Sequence, residues 1–154
     1  MKVDFQLDLR EFSRDIHKVL AQTSGHALGE AAIAGILLIR ELVKDNIRYQ
    51  GLVDTAALLN SWIYKLERAS RTKAEAWTAT DRVYARIHEF GGVIRPKTAN
   101  ALRFQTKDGN WVITQSVTIP ARPYVRPALD ENKEAIASAI IHQLQANVDG
   151  ALRG

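Results

Sequence analysis

Val117-Thr118-Ile119-Pro120-Ala121-Arg122-Pro123-Tyr124-Val125-Arg126-Pro127-Ala128-Leu129-Asp130 is the stretch on which the reading of this chain turns. Its three prolines predict an extended backbone, because each fixes its own φ and pushes the preceding residue out of the helical region. Arg122 and Arg126 then stand between prolines on a stiff, non-helical segment. Upstream, Trp111, Ile113, Val117 and Ile119 share a strand face interrupted at Gln115. Downstream, Ile136, Ala137, Ile140, Ile141, Leu144 and Val148 recur at helical spacing, with Gly150 placed to end the helix. A strand therefore runs into a rigid arm, and the arm into a final helix. Taken alone, this is a strand-to-helix connector punctuated by prolines.

The rest of the chain supplies the partners of these elements. Leu9, Phe12, Ile16, Val19 and Leu20 fall on one helical face, with Asp8 and Glu11 spaced as a capping box. Ser24-Gly25 breaks that helix, and a longer one is predicted from about His26 to Asp45. Its apolar residues cover more than one stripe, which predicts burial against a sheet and against a second helix or subunit. A short helix follows near 54–61, with Asp54 or Thr55 as its cap. Residues 62–67 and 74–80 read as two strands joined by Ser70-Arg71-Thr72-Lys73. Val83, Tyr84, Ile87 and Phe90 return to helical spacing, with Gly91 placed for a left-handed cap. Val93–Pro96 and Ala101–Gln105 read as short strands around a Pro-Lys-Thr-Ala-Asn tip, and Lys107-Asp108-Gly109-Asn110 as a hairpin turn. Phe90 and Trp111 are assigned to core stripes. The expected fold is α+β: an antiparallel sheet of about four strands packed against a long N-terminal helix and a C-terminal helix, with a protruding hairpin. We expect a single domain over 1–154, with the hairpin excursion at about 93–110.

Composition narrows the function classes. The chain has 154 residues, enough for a real core, and its balance of hydrophobic and charged residues argues against disorder. It has no cysteine, which removes disulfides, thiolate metal sites and thiol nucleophiles and fits a reducing compartment. The N-terminal residues lack the apolar core of a signal peptide. The apolar run Ala31–Ile39 falls far short of the ~20 residues of a membrane span. His17, His26, His88 and His142 show no ligand spacing, and there is no H-E-x-x-H or G-x-S-x-G run. Gly91-Gly92 follows a helix instead of joining a strand to one, which makes it a poor phosphate cradle. No catalytic, cofactor or metal residues are therefore assigned, and an enzyme is not expected.

The charge is uneven. Residues 82–126 carry eight basic residues (Arg82, Arg86, Arg95, Lys97, Arg103, Lys107, Arg122, Arg126) against Glu89 and Asp108, whereas residues 1–81 are neutral overall. One reading is a solvated loop face; the others are contact with DNA or with an acidic protein surface. In the DNA reading, Tyr84, Phe90, Phe104, Trp111 and Tyr124 are candidates to stack on bases. Glu89 stands at a helix C-terminus, where the dipole disfavours it, so either full solvation or a pairing with Arg122 or Arg126 must compensate.

Three runs also carry a resemblance. Ile119-Pro120-Ala121-Arg122-Pro123-Tyr124-Val125-Arg126-Pro127-Ala128-Leu129 resembles the "P-A-R-P-[FY]-hydrophobic-R-P-A" run of the head–tail joining (tail-completion) proteins of long-tailed bacteriophages. Tyr84-Ala85-Arg86-Ile87-His88-Glu89-Phe90-Gly91 resembles their "Y-A-x-x-x-E-[FY]-G" run. Thr55-Ala56-Ala57-Leu58-Leu59-Asn60-Ser61 sits where they tend to show "T-G-x-L-x-x-S", with Ala56 in place of the glycine. The virion-morphogenesis proteins of contractile-tailed phages are similar too, through "H-E-F-G-G-x-I" and "P-A-R-P", but typically lack the continuation that Arg126–Leu129 supplies. That continuation favours the joining family. The resemblance implies a virion structural protein: a ring-forming, six-fold adaptor between head connector and tail, with DNA passing through its lumen, present in host cytoplasm during assembly. The implied partners are further copies of this chain, head-connector proteins, and tail-terminator or tail-tube proteins. A closing ring needs two different patches per subunit. The candidate pair is the basic 82–126 region and the acidic start of the last helix, at Asp130, Glu131 and Glu134. A small basic nucleic-acid-binding protein is the alternative from another class.

Overall fold

The computed structural model describes residues 1–8, 24–53 and 56–153. In order, its elements are β1 (Lys2–Asp8), α1 (Gly25–Tyr49), α2 (Ala57–Asn60), β2 (Ile63–Ala69), β3 (Lys73–Ala79), α3 (Ala85–Phe90), β4 (Gly92–Ile94), β5 (Leu102–Gln105), β6 (Trp111–Thr114), β7 (Val117–Ile119), α4 (Val125–Asp130) and α5 (Lys133–Arg153). The chain divides into two compact units, Met1–Arg82 with Tyr124–Gly154, and Val83–Pro123. The second unit contains the whole 93–110 excursion. The helix expected from Leu9 to Leu20, with its Asp8–Glu11 cap, lies outside the described residues beyond Asp8.

In the first unit a three-stranded antiparallel sheet, ordered β1-β3-β2, lies under α1. The expected class and layers hold; the sheet has three strands, because the later strands pair within the second unit. β1 is an addition to the expected elements. Val3, Phe5 and Leu7 alternate with polar residues, the period of a half-buried strand. The inner face of β3 is built from small residues, Ala74, Ala76 and Thr78, all buried. α1 also sits close on β2: a Cβ on Gly29 would approach Leu66 Cδ2 at 3.0 Å and Ala69 Cβ at 3.1 Å.

Ser24 caps the N-terminus of α1. The Ala27 N–H donates to Ser24 Oγ at 3.3 Å, a bond worth about 1 kcal/mol. Leu28, Ala32, Ile36, Ile39, Val43 and Ile47 form its buried stripe, with Gly29, Ala31 and Gly35 beside it. These residues cover the sheet and also pack against α4 and α5, the two-sided burial expected from the stripes. Two side-chain amides lock this layer: Asn46 Nδ2 donates to the Tyr124 carbonyl at 3.0 Å, and Asn147 Nδ2 to that of Ala27 at 3.2 Å. Ile136, Ile140 and Leu144 of α5 are buried as expected, but α5 runs on past Gly150 to Arg153.

The proline arm is shorter than the sequence suggests. Residues 125–130 are helical, so Arg126 stands on α4 and not on extended chain. Pro127 is the third residue of that helix, where its missing N–H costs nothing. Nor does this part protrude. Tyr124 is fully buried and meets Trp62 edge to face, ring centroids 6.3 Å apart.

At the N-terminus of α2, Ala56 adopts φ 56°, ψ 9°, and it is the only non-glycine residue with positive φ among those described. This is the position at which the joining family tends to show glycine. Asp54 and Thr55, the expected caps, lie outside the described residues.

Candidate protein-docking surface

The second unit is built around a clamp at the end of α3. Gly91 ends the helix with φ 69° and ψ 179°: positive φ as expected, but with extended rather than left-handed ψ. A Cβ there would stand 2.8 Å from the Ala121 N and 3.1 Å from the Ile119 O. The Arg122 N–H donates to the His88 carbonyl at 2.7 Å. Only a glycine lets residues 119–122 close on the helix end this way. His88 stacks edge to face on Tyr84, and its pKa is pushed down, first by burial and then by the Arg122 charge.

From this clamp the strands run out as a two-stranded ribbon. β4 pairs with β7, with Val93 opposite Thr118, and β5 pairs with β6, with Arg103 opposite Ile113. The reversal is at 106–110, where Gly109 takes φ 82° and the Thr106 N–H donates to the Asn110 carbonyl at 2.9 Å. That bears out the Lys107–Asn110 turn. The Pro-Lys-Thr-Ala-Asn segment is not the tip of a β4–β5 hairpin, because those strands pair with β7 and β6 instead. Trp111–Ile119 is likewise two strands, parted at Gln115-Ser116.

The surface of this unit departs most from expectation. Val83 is 92% exposed, Ile113 69%, Trp111 60%, Phe90 58% and Val93 52%. The assignment of Phe90 and Trp111 to the core is therefore corrected. Their periodicity is real, but the face it defines is uncovered in the single chain. Val83, Arg86, Ile87, Phe90 and Gly91 line an open groove of about 380 Å³ along α3. On the ribbon, Arg103 lies over the Trp111 ring at 4.6 Å from its centroid.

The residues singled out from sequence divide between the two units. Arg95, Lys97, Arg103, Lys107 and Arg122 are all exposed on the second. Glu89 belongs to the same unit but is only 4% exposed, so solvation does not compensate its charge, nor does it stand without a partner. Arg126, Asp130, Glu131 and Glu134 are exposed on the first unit, with Asp130 3.4 Å from Lys133 in an ion pair. Tyr124, a candidate to stack on bases, is buried and cannot do so. The α3 groove was missed, although the i, i+3, i+4, i+7 spacing of Val83, Arg86, Ile87 and Phe90 was its signal. Among the described residues no group of three or more His, Asp or Glu could hold a metal ion, and no helix is long and apolar enough to cross a membrane.

The second unit thus leaves large apolar side chains and a set of basic residues exposed together. Residues 44–145 match the phage virion morphogenesis family, a span that includes the whole second unit and both landmark runs. The chain belongs to the phage virion morphogenesis family. Of the two families the motifs resemble, the match falls on the one named second, and the phage-assembly reading common to both holds. The protein is thus a virion-associated structural or assembly protein. No curated protein and no solved structure matches the chain.

Proposed function

We propose that this chain is a ring-forming adaptor that completes the tail and joins it to the head connector during assembly. The observation that carries the reading is the second unit: a basic, apolar-faced ribbon and helix whose large side chains remain in solvent in the single chain. Monomeric proteins rarely keep such surface unless another molecule covers it. In the assembled particle, Arg95, Lys97, Arg103 and Lys107 of one copy meet Asp130, Glu131 and Glu134 of the next. Two different patches then form a heterologous interface, which closes into a ring at the head–tail junction. The other partners are the head-connector and the tail-terminator or tail-tube proteins, with non-specific DNA contact in the lumen. The chain works in the host cytoplasm before it is incorporated. The reading includes no catalysis and no cofactor.

Deletion of the gene with plasmid complementation, followed by electron microscopy of the lysate, tests this. The expected products are DNA-filled heads and separate finished tails, with tagged protein at the junction when the chain is restored. Complete infectious particles without the chain, or a block in making heads, would overturn it. A second reading, a nucleic-acid-binding protein, draws on the exposed Phe104 and Trp111 on a cationic ribbon. Against it, the Arg103 guanidinium already occupies one face of the Trp111 ring.

A further inference from the structure

The adaptor reading assigns no particular neighbour to the helix α3, and its outer face has the features of a separate binding site. Val83 and Phe90, both largely exposed, flank the groove; Ile87 and Gly91 line it between them, and Arg86 is its one charged lining residue. Arg86, Ile87 and Phe90 stand on α3 itself, Ile87 and Phe90 three residues apart on one side, and Val83 extends that side from the turn before the helix cap. With Val93, Ile94, Phe104, Trp111 and Ile113, this unit exposes apolar surface on the order of several hundred Å², the scale of a protein–protein contact.

We propose that this groove is the docking site for a different protein of the particle, which inserts an apolar side chain flanked by a carboxylate. The proposal rests on the adaptor reading and supplies the chemistry by which a neighbour is recognised. The apolar lining selects a large hydrophobic anchor, and Arg86 offers a planar, bidentate donor suited to a carboxylate beside that anchor. The unit carries Arg86, Arg95, Lys97, Arg103, Lys107 and Arg122 against Asp108 and the buried Glu89, so its field favours an acidic partner. A second copy of this chain fits poorly. Among the described residues of the first unit, the exposed large apolar side chains are Tyr49, Val53, Ile63 and Tyr64; Val53 is the smallest of them, and the other three each have a cation near. Arg48 precedes Tyr49, Arg40 stacks on Tyr64 at 5.3 Å, and Lys65 lies two residues along β2 from Ile63. The acidic residues Asp130, Glu131 and Glu134 bring charge without a large exposed apolar anchor among them.

Val83→Glu and Arg86→Glu test this in the complementation system. Both positions are exposed, so thermal melts and the oligomeric state of the purified variants should match wild type. Infectivity should nevertheless fall towards that of the deletion, because loss of a groove anchor weakens such a contact about 30-fold or more. Selection for plaque recovery on Arg86→Glu should return changes of Asp or Glu to Lys or Arg in another virion protein. Suppressors at Asp130, Glu131 or Glu134 would overturn the proposal and make the occupant a second copy. Parallel loss of DNA retention that low salt restores would make it nucleic acid. Wild-type infectivity of both variants, in a phage whose deletion is blocked, would sink the groove and leave the adaptor standing; an innocuous deletion would sink both.

Discussion

Gly91→Ala should be among the most damaging single-methyl changes in the second unit, and the cost can be built from two separable parts. The first is conformational. With φ 69° and ψ 179°, the backbone lies in a region open essentially to glycine alone, and a side chain there costs about 1–3 kcal/mol. The second is steric. The new Cβ meets the Ala121 N at 2.8 Å, the Ile119 O at 3.1 Å and the Ala121 Cα at 3.3 Å. All three are backbone atoms and cannot swing aside, so overpacking adds about 1–3 kcal/mol. Stiffening of the unfolded chain returns about 0.4–1 kcal/mol. The net loss is about 1–6 kcal/mol, a large fraction of the ~5–15 kcal/mol that holds a typical protein folded.

Gly51→Ala isolates the first part. Gly51 has φ 65°, but a Cβ there meets nothing within 4 Å among the described residues, so its net cost should be about 0–1.6 kcal/mol. Ala56→Gly runs the other way. Relief of the left-handed alanine at φ 56° offsets the added chain entropy and should leave stability unchanged or raised by up to about 1 kcal/mol. Urea unfolding of the three variants gives the values, and hydrogen exchange locates the loss. For Gly91→Ala, the amides of β4 and β7 should lose protection first. If Gly91→Ala and Gly51→Ala agree within about 0.5 kcal/mol, the close approach of residues 119–121 to the helix end is not what requires glycine.

Four further outcomes are expected. Arg122→Ala and Arg126→Ala should fold, judged by circular dichroism and melts, yet fail to complement; wild-type infectivity would refute this, and unfolding by Arg122→Ala alone would instead identify it as the cation that meets buried Glu89. Purified protein should bind duplex DNA weakly, without sequence preference and with steep salt dependence, and a site bound more than ~1,000-fold above background at physiological salt would favour a regulator instead. His88 has its pKa held below the ordinary 6.5, so its stabilising contribution is complete above that value and is lost as pH falls through the lowered folded pKa; the thermal midpoint should drop on acidification, and less in His88→Gln. Residues 95–101 should exchange quickly in the free protein and slowly in particles, whereas strong protection in both would make this segment part of the core.

The core of the first unit was largely legible because its residues obey one rule: same face, therefore buried. Leu28 through Ile47 keep helical spacing and are buried; Ile136, Ile140 and Leu144 do the same. The strands 63–69 and 73–79 are announced by a polar turn in which the Ser70 N–H donates to the Lys73 carbonyl at 2.8 Å. Where the reading failed, a local rule was applied without its context. Pro127 suggests an extended chain until it is counted from a helix start, where the first turn needs no N–H. Val3, Phe5 and Leu7 alternate plainly, but the strand that pairs with them, β3, is far along the chain, with Lys2 opposite Ala79, so no neighbouring turn announces the pairing.

The second unit shows why its site was harder to find than its secondary structure. Val83, Ile87, Phe90, Trp111 and Ile113 repeat as regularly as core residues, and periodicity tells only that they share faces. What covers those faces is not written in the spacing. In the first unit, small residues where helix and sheet meet, Gly29 on α1 and Ala74 and Ala76 on β3, reveal an internal partner by leaving it room. On the exposed faces of the second unit the apolar side chains are large and interleaved with Arg86, Arg95 and Arg103, a mixture that an internal core would have to desolvate at high cost. Arginine beside exposed aromatics is instead a composition enriched where proteins meet other proteins. The apolar stripe that carries charge is therefore the one we propose as an interface, and here it coincides with the landmark run 84–92 and with the groove along α3.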